Sequence, residues 1–202
     1  MKTRENEEFK GYYDAPNAQV SKIFKSRIKN ALELATINEK SIVLDIGCQF
    51  GHLLKFIRQK KPQAKLCGID SESYGLRNSE IENCELGVAD ARNMPFQNEY
   101  FDLSFAMDVL EHIDDGLNTA IKEIHRILKK DGILILSGPT ETWFYRICRF
   151  LFIGKFHWDE HKHTVYDIEN TFLSSGFVLV ERRSLPKFPY PELFRVSKFR
   201  KV

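Results

Sequence analysis

The chain has 202 residues, of which 43% are hydrophobic and 29% charged, and this composition fits one globular domain and excludes a disordered or fibrous protein. A formal net charge of +2 makes no strong case for nucleic acid as a partner, because phosphate binding normally shows as a strongly basic face. The four cysteines lack the close pairs of zinc or redox sites, and neither a secretory signal nor a membrane-spanning run is evident, so we expect a cytoplasmic protein.

The N-terminal part of the chain predicts a helix, a strand and a second helix. Apolar residues recur at helical spacing from about Ala18 to Ala35, which indicates an amphipathic helix that covers the domain. An apolar run over Ile42–Ile46 indicates a strand, and a turn containing glycine leads from it into a helical stretch over His52–Lys60.

Further apolar runs predict more strands, at Leu66–Ile69, Leu86–Ala89, Phe101–Met107 and Ile133–Ser137. Polar helical stretches separate most of them. This alternation is typical of a mostly parallel sheet with helices on both faces, so the sequence predicts a doubly wound α/β domain.

The C-terminal part of the sequence departs from the alternation of strands and helices before it. A helix is predicted over Asp167–Ser174, closed by Gly176, and strands are predicted over Phe177–Val180 and Leu193–Phe199. We expect these two strands to form a hairpin-like pair at the edge of the sheet.

The first strand leads into a glycine-containing loop, Asp45-Ile46-Gly47-Cys48-Gln49-Phe50-Gly51. Glycines at such a turn let the backbone approach a ligand, while the next helix offers its N-terminal amides. A dinucleotide fold requires glycine in place of Asp45, whereas an acid there repels phosphate and suits a cationic amine. The loop therefore favours a positively charged cofactor over a nicotinamide dinucleotide.

This loop resembles motif I of the class I S-adenosylmethionine-dependent methyltransferases. Three later stretches are also similar to that family: Phe101-Asp102-Leu103, Asp108-Val109-Leu110-Glu111-His112, and the segment from Glu123 to Gly132. The resemblance spans about Ile42 to Pro139. One position departs from it, because Gln49 stands where the family usually has its middle glycine.

The resemblance implies a Rossmann-like, doubly wound, mostly parallel seven-stranded sheet with a C-terminal antiparallel edge strand. It also implies a methyltransferase domain over 41–202, preceded by an N-terminal helical cap over 1–40 and carrying a substrate-lid insertion at about 140–165. The expected cofactor is S-adenosyl-L-methionine, and the expected acceptor is a small molecule such as a glycan, a quinone or a lipid-linked intermediate.

The residues that the resemblance assigns to the cofactor are Asp45, Gly47, Cys48, Gln49, Gly51, Asp70, Ser71, Asp90, Ala91 and Met107. Asp70 would accept from the ribose hydroxyls, because a carboxylate offers two acceptor oxygens. Asp90 would accept from the adenine amino group, with a backbone amide from Ala91 beside it. The alternative is that these strand-end acids only cap the helices that follow.

Methyl transfer needs alignment of the nucleophile, and a hydroxyl acceptor also needs a base, for which histidine is suited near neutral pH. The candidate catalytic residues are His112, His161, His163 and Asp108. An alternative is a divalent ion held by Asp108, Glu111, His112 and His161, as in methyltransferases with a similar turn. Packing roles for the histidines, and a protein that binds the cofactor without turnover, also remain open.

The segment from Thr142 to Phe156 is crowded with aromatic residues and contains three basic residues but no acid. It suits a lid over an apolar substrate, a contact with an anionic membrane surface, or core packing. From Glu181 to Val202 there are seven lysines and arginines against two acids, which suits either a second contact with the same surface or solvated charge. The oligomeric state stays open.

Overall fold

The computed structural model describes residues 18–79, 81–153, 161–187 and 189–202. Its seven strands are β1 Ile42–Ile46, β2 Lys65–Asp70, β3 Cys84–Val88, β4 Phe101–Met107, β5 Leu128–Pro139, β6 Phe177–Leu185 and β7 Phe194–Lys201. They form one sheet in the order β3-β2-β1-β4-β5-β7-β6. Neighbouring strands among β1 to β5 pair in parallel, and β7 runs antiparallel to both of its neighbours.

The helices of the described residues are α1 Ala18–Leu34, α2 His52–Lys60, α3 Ser73–Arg77, α4 Leu117–Ile127, α5 Trp143–Ile153 and α6 Val165–Ser174, and a 3₁₀ turn lies at Leu110–His112. One core cluster contains residues of α1 and α2, and the other contains residues of α4 and α6. Helices therefore cover both faces of the sheet, and the predicted doubly wound α/β fold is confirmed. No helix among the described residues is both long and apolar enough to cross a membrane.

Strands buried on both faces were predicted best. The bounds of β1 and β4 agree with prediction at both ends, as do those of α2. Strand β5 is longer than the predicted Ile133–Ser137, because it begins at Leu128, which pairs with Phe101 ahead of a register irregularity. Its first residues include Lys129, Lys130 and Asp131, and this polar start concealed the strand in the sequence.

The predicted C-terminal pair is confirmed. Strand β7 lies between β5 and β6, so β6 forms the edge of the sheet and pairs antiparallel with β7. Residue Val196 of β7 is fully buried, as expected for a strand with neighbours on both sides.

Helix α1 contributes to the core of the same domain. Its residues Ile28, Ala31 and Leu34 are buried in the cluster that also contains Val43 of β1 and Phe105 of β4. Hydrophobic burial therefore fixes α1 on the sheet. Residues 1–17 of the predicted N-terminal cap lie outside the described residues.

The basic residues near the C-terminus are largely engaged within the fold. Arg182 and Arg195 each form an ion pair with the buried Glu169, at 2.7 and 2.9 Å. Arg183 pairs with Glu33 of α1 at 2.7 Å. These pairings favour a structural role for the positive charge of β6 and β7 over a second membrane contact.

Candidate active site

A cavity of about 640 Å³ opens at the carboxyl ends of the parallel strands, where ligands bind in doubly wound folds. Its walls include residues that follow four strands: Gly47 and Gln49 after β1, Asp70 and Ser71 at and after β2, Ala89 to Arg92 after β3, and Asp108, Val109 and Glu111 to Asp114 after β4. The topology thus brings together most of the residues that the sequence assigned to the cofactor.

The loop after β1 takes a left-handed backbone conformation at three positions: Gly47 at φ 74°, Gln49 at φ 43° and Gly51 at φ 66°. A Cβ atom on Gly47 would lie 2.7 Å from the side chain of Val109, so close packing also requires glycine there. Gln49 keeps the left-handed geometry without being glycine, at a cost of about 1–2 kcal/mol. The departure from the family motif therefore adds strain and leaves the course of the loop intact.

A smaller cavity adjoins the first and is lined by Asp45, Cys48 and Met107, together with residues of the main cavity. Burial, and then the nearby Asp70, raise the pKa of Asp45 well above its usual range. Gly51 lines neither cavity among the described residues; it stands at the N-terminus of α2.

Asp70 binds the backbone of two loops. Its carboxyl oxygens accept hydrogen bonds from the amides of Gln49 at 3.0 Å and Glu72 at 2.9 Å. Burial nevertheless raises the pKa of Asp70, because it outweighs these two hydrogen bonds. Each oxygen retains capacity for a second donor, so the residue can hold the loop and also accept from a ligand hydroxyl.

Asp90 also lines the cavity, but its carboxylate is already engaged. The side chain of Arg92 donates to both oxygens, the shorter contact to Oδ2 being 2.6 Å, and these bonds hold the pKa of Asp90 below its usual range. A ligand amine would therefore share the carboxylate with a guanidinium. Ala91 lies between them on the cavity wall.

Asp108 follows β4 with a left-handed φ of 55° and forms an ion pair with Arg27 of α1. The Arg27 residue is only 2% exposed; its guanidinium also donates to the Ser137 hydroxyl at 3.1 Å and lies 4.1 Å from the ring centroid of Phe194. The second oxygen of Asp108 is buried and has no hydrogen-bond partner among the described residues.

Sequence reasoning missed Arg27. The available signal was a charged residue between Phe24 and Ile28, on the apolar side of the predicted first helix. A charge in that position needs a partner within the protein, and the structure places Asp108 there.

Glu111 lies in the 3₁₀ turn after β4 and is 1% exposed. Neither of its carboxyl oxygens has a hydrogen-bond partner among the described residues. Burial, and then the charge of Asp108, raise the pKa of Glu111 well above its usual range. The backbone amide of Lys162 donates to the Glu111 carbonyl at 2.8 Å, and this bond brings the segment that contains His161 to the turn.

Two of the three candidate histidines meet at the cavity wall. The rings of His112 and His161 lie 4.9 Å apart in an edge-to-face arrangement. His112 is open to the cavity, but the surrounding protein removes enough water from its ring, and His161 adds enough positive charge, to lower its pKa to about 4. His112 is therefore neutral at physiological pH.

The Nδ1 atom of His161 lies 2.6 Å from Oε1 of Glu141, a residue that sequence reasoning did not single out. Both side chains are about nine-tenths buried, at 10% and 8% exposed. Burial opposes ionisation of Glu141, but the His161 hydrogen bond and the charges of Arg149 and Arg146 outweigh it and lower its pKa. Glu141 also has a left-handed φ of 51°, and such strain often accompanies functional positions.

The third candidate, His163, is placed elsewhere, and its catalytic role stays a prediction. Among the described residues it does not line either cavity. It lies beside the first turn of α6, where Thr164 and Asp167 form a reciprocal capping box. The Thr164 bonds lower the pKa of Asp167, and the charge of His163 adds to that effect.

One side chain atom each of Glu111, His112 and His161 lies within 4.8 Å of the others, so these residues can share a metal ion. Carboxylate and imidazole ligands suit several divalent metals. Asp108, the fourth residue of the predicted alternative set, is not part of this group and pairs with Arg27 instead.

The end of the cavity away from β3 is lined by aromatic and basic side chains of three different elements. Phe24 comes from α1, Tyr145 and Arg149 come from α5, and Phe194 comes from β7. The ring of Phe194 contacts both Tyr145, at 5.4 Å between centroids, and Phe24, at 6.0 Å. Helix α5 thus lies within the predicted lid segment and forms part of the cavity wall.

A family model described as a methyltransferase domain matches residues 44–136, which include the loop after β1, Asp70, Asp90 and the turn after β4. In this segment and in its fold, the chain resembles the class I S-adenosylmethionine-dependent methyltransferases. This resemblance implies S-adenosylmethionine as the cofactor.

Known proteins similar to this chain include an uncharacterised protein of Methanocaldococcus jannaschii, 31% identical over 66% of this chain and 53% of its own length. A demethylmenaquinone methyltransferase of Thermotoga maritima is 28% identical over 54% of this chain and 48% of its own length. The chain therefore spans about half the length of these curated relatives. The crystal structure of an S-adenosylmethionine-dependent methyltransferase from Mesorhizobium loti superposes with a TM-score of 0.69, covers 86% of this chain and 96% of that one, and is 15% identical.

The cavity fits this cofactor chemically. S-adenosylmethionine carries a cationic sulfur and a cationic amine, and the acids Asp70, Asp90, Asp108 and Glu111 line the cavity, with Asp45 in the adjoining one. The buried Asp108 oxygen without a partner among the described residues is an acceptor that a cationic or hydrogen-bonding ligand would satisfy.

Proposed function

We propose that this chain transfers the methyl group of S-adenosylmethionine to a hydroxyl of a small-molecule acceptor. The observation that supports this proposal most directly is the hydrogen-bonded pair of Glu141 and His161, with His161 on the cavity wall. A hydroxyl is weakly acidic, and a positioned base accelerates transfer from it by about 10² to 10⁴. Acceptors with a hydroxyl include a glycan, a quinol and a lipid-linked intermediate.

The pair supplies the base. When His161 donates its Nδ1 hydrogen to Glu141, the tautomer leaves an unprotonated Nε2 to accept the hydroxyl proton. The imidazole then becomes positive, and the Glu141 carboxylate, 2.6 Å away, stabilises that charge. The neutral His112 lies beside it and is placed to orient the acceptor.

When bound, S-adenosylmethionine supplies a methyl group that its cationic sulfur already activates. The residues of the chain position the reactants: Asp70 and the loop around Gln49 hold the cofactor end of the cavity. Phe24, Tyr145 and Phe194 exclude water at the acceptor end. Such alignment can contribute about 7–11 kcal/mol to the reduction of the barrier.

Calorimetric titration tests the cofactor part of the proposal. The wild-type chain should bind S-adenosylmethionine and S-adenosylhomocysteine but not a nicotinamide dinucleotide. Asp70→Ala should weaken binding by tenfold or more, because it removes an acceptor and releases the Gln49 amide. Glu85→Ala, which changes an acid whose side chain is 68% exposed, should leave the affinity unchanged.

Turnover tests the base. With an acceptor found by screening with methyl-labelled cofactor, Glu141→Gln should lower kcat by about 10²-fold or more while the affinity for S-adenosylhomocysteine stays the same. Equal loss of turnover and cofactor affinity would argue against a base in this position. Binding without turnover on any acceptor would instead favour a protein that binds the cofactor and does not catalyse.

A second candidate function is metal-assisted methyl transfer, in which a divalent ion binds an acceptor with neighbouring hydroxyls. The triad of Glu111, His112 and His161, and the buried Glu111 carboxyl without a partner among the described residues, support it. Glu141 would then orient a metal-binding imidazole from outside, a common arrangement. Mg²⁺, Mn²⁺ or Zn²⁺ should raise the Tm of the wild type but not of Glu111→Gln, and a chelator should abolish turnover. Turnover that survives chelation would exclude this candidate.

A further inference from the structure

Helix α5 has two faces that serve different purposes. On the inner face, Tyr145 is 8% exposed and lines the cavity with Arg149. On the outer face, Trp143, Ile147 and Leu151 follow one another at intervals of four residues and are 74%, 43% and 68% exposed. The helix therefore presents large apolar side chains to the outside at the entrance wall of the site.

The outer residues form one stripe. Phe150, 48% exposed, lies seven residues after Trp143, so with 3.6 residues per turn all four side chains fall within about one third of the helix circumference. A helix on the surface of a monomeric protein usually turns its apolar stripe inward. An exposed apolar stripe of this kind is typical of a surface that contacts another protein or a membrane.

The charged residues of α5 indicate which kind of partner its outer face contacts. Helix α5 contains Arg146 and Arg149 and no acid, and Lys155 follows it in the sequence. Arg146 flanks the apolar stripe and its side chain is 40% exposed, although it also lies 3.4 Å from Glu141. A twofold contact between copies through this face would place Arg146 against its own counterpart, whereas an anionic lipid surface attracts it.

We propose that the outer face of α5 docks on an anionic lipid bilayer, with the stripe of Trp143, Ile147, Phe150 and Leu151 among the lipid headgroups and acyl chains. Helices that lie in the membrane plane combine an apolar face carrying aromatic residues with basic residues at its margins. Because the opposite face lines the cavity, docking brings the acceptor end of the site to the lipid surface. That the acceptor end of the site reaches the lipid surface rests on the proposed function, whereas the docking itself does not.

The test is flotation of the full chain with vesicles of phosphatidylglycerol and phosphatidylcholine, compared with vesicles of phosphatidylcholine alone. The wild type should float with the anionic vesicles, less so at high salt. The double variant Trp143→Ser and Leu151→Ser should bind at least tenfold more weakly. A control double variant, Phe56→Ser and Val88→Ser, removes exposed apolar side chains from α2 and from β3 at the far edge of the sheet and should bind as the wild type does.

Tryptophan fluorescence gives a second measure of the same contact. The chain has two tryptophans, so Trp158→Phe leaves Trp143 as the reporter, and its emission should shift to the blue when anionic vesicles are added. Absence of both flotation and the shift would overturn the proposal. A dimer in solution that the Trp143→Ser and Leu151→Ser changes dissociate would overturn it in favour of a second copy of the chain.

Titration of the Trp143→Ser and Leu151→Ser variant with S-adenosylhomocysteine separates the two proposals. Unchanged cofactor affinity together with lost flotation supports docking through α5. A wild-type chain that floats but binds no S-adenosylhomocysteine would support docking and refute the proposed function. A wild-type chain that binds S-adenosylhomocysteine but does not float would refute docking alone.

Discussion

Arg27 of the first helix and Asp108 at the end of β4 form an ion pair on the wall of the cavity, with the Arg27 residue only 2% exposed. The guanidinium also binds Ser137 of β5 and lies over Phe194 of β7. One side chain thus connects the N-terminal helix to three strands and to the candidate site. Helix α1, which lies outside the segment matched by the family model, is for this reason part of the site.

Replacement of Arg27 should be strongly destabilising. Arg27→Met leaves the Asp108 carboxylate largely buried without its cation and should lower the free energy of unfolding by about 3–5 kcal/mol, measured by urea denaturation. Adding Asp108→Asn should recover part of this loss, because it removes the uncompensated charge. Lys29→Met on the same helix, where the side chain is 76% exposed, should change stability by no more than about 0.5 kcal/mol.

Gln49 should tolerate glycine better than a β-branched residue. Gln49→Gly relieves the left-handed strain at φ 43° but increases the freedom of the unfolded chain, so stability should stay equal or rise by up to about 1 kcal/mol. Gln49→Val should be destabilising, since a branched Cβ is disfavoured at positive φ. Urea denaturation of the wild type and the two variants gives their order of stability. A glycine variant less stable than the valine variant would refute the inference that Gln49 is strained.

Glu111→Gln should stabilise the metal-free protein more as the pH rises. Above pH 4.5, the ordinary pKa of glutamate, the unfolded chain releases the Glu111 proton while the folded chain keeps it. The wild type therefore loses stability as the pH rises from 4.5 toward the raised pKa of the folded state. Glutamine has no such proton. Denaturation with a chelator at about pH 5 and about pH 8 should show the larger advantage of Glu111→Gln at the higher pH. An equal difference in stability between Glu111→Gln and the wild type at both pH values would show that Glu111 does not titrate in this range.

The imidazole of His112 should titrate near pH 4, and His161→Ala should move that pKa upward toward the ordinary value near 6.5. The substitution removes a positive neighbour and admits water, and both changes favour protonation of His112. Proton NMR of the ring signals follows the titration. His125, whose pKa is lowered by burial and then by Lys201, is the control and should not move.

The sequence predicted the parts of the fold that depend on local pattern. Strands β1 and β4 are continuous apolar runs because both of their faces are covered, and their bounds were predicted without error. The end of β3 was predicted one residue late, since Val88 is 59% exposed and the strand lacks a continuous buried run. The insertion of β7 between β5 and β6 was not predicted, because strand order depends on contacts between distant segments.

The cofactor end of the site was predictable for the same reason. Asp70 and Asp90 follow their strands directly, and parallel strands end at one edge of the sheet, so chain order alone brings these acids together. The acceptor end was only partly predictable. His112 and His161 were singled out as residue types, but nothing in their spacing showed that they meet or that His163 does not join them.

The sequence by itself determined the fold class and indicated the family and the cofactor, because each is encoded in short runs of consecutive residues. Only the tertiary structure decided the partners: Arg27 for Asp108, Glu141 for His161, and the outward stripe on α5. The physical reason is that burial and electrostatic pairing depend on which surfaces the folded chain brings together, and these surfaces come from segments far apart in the sequence.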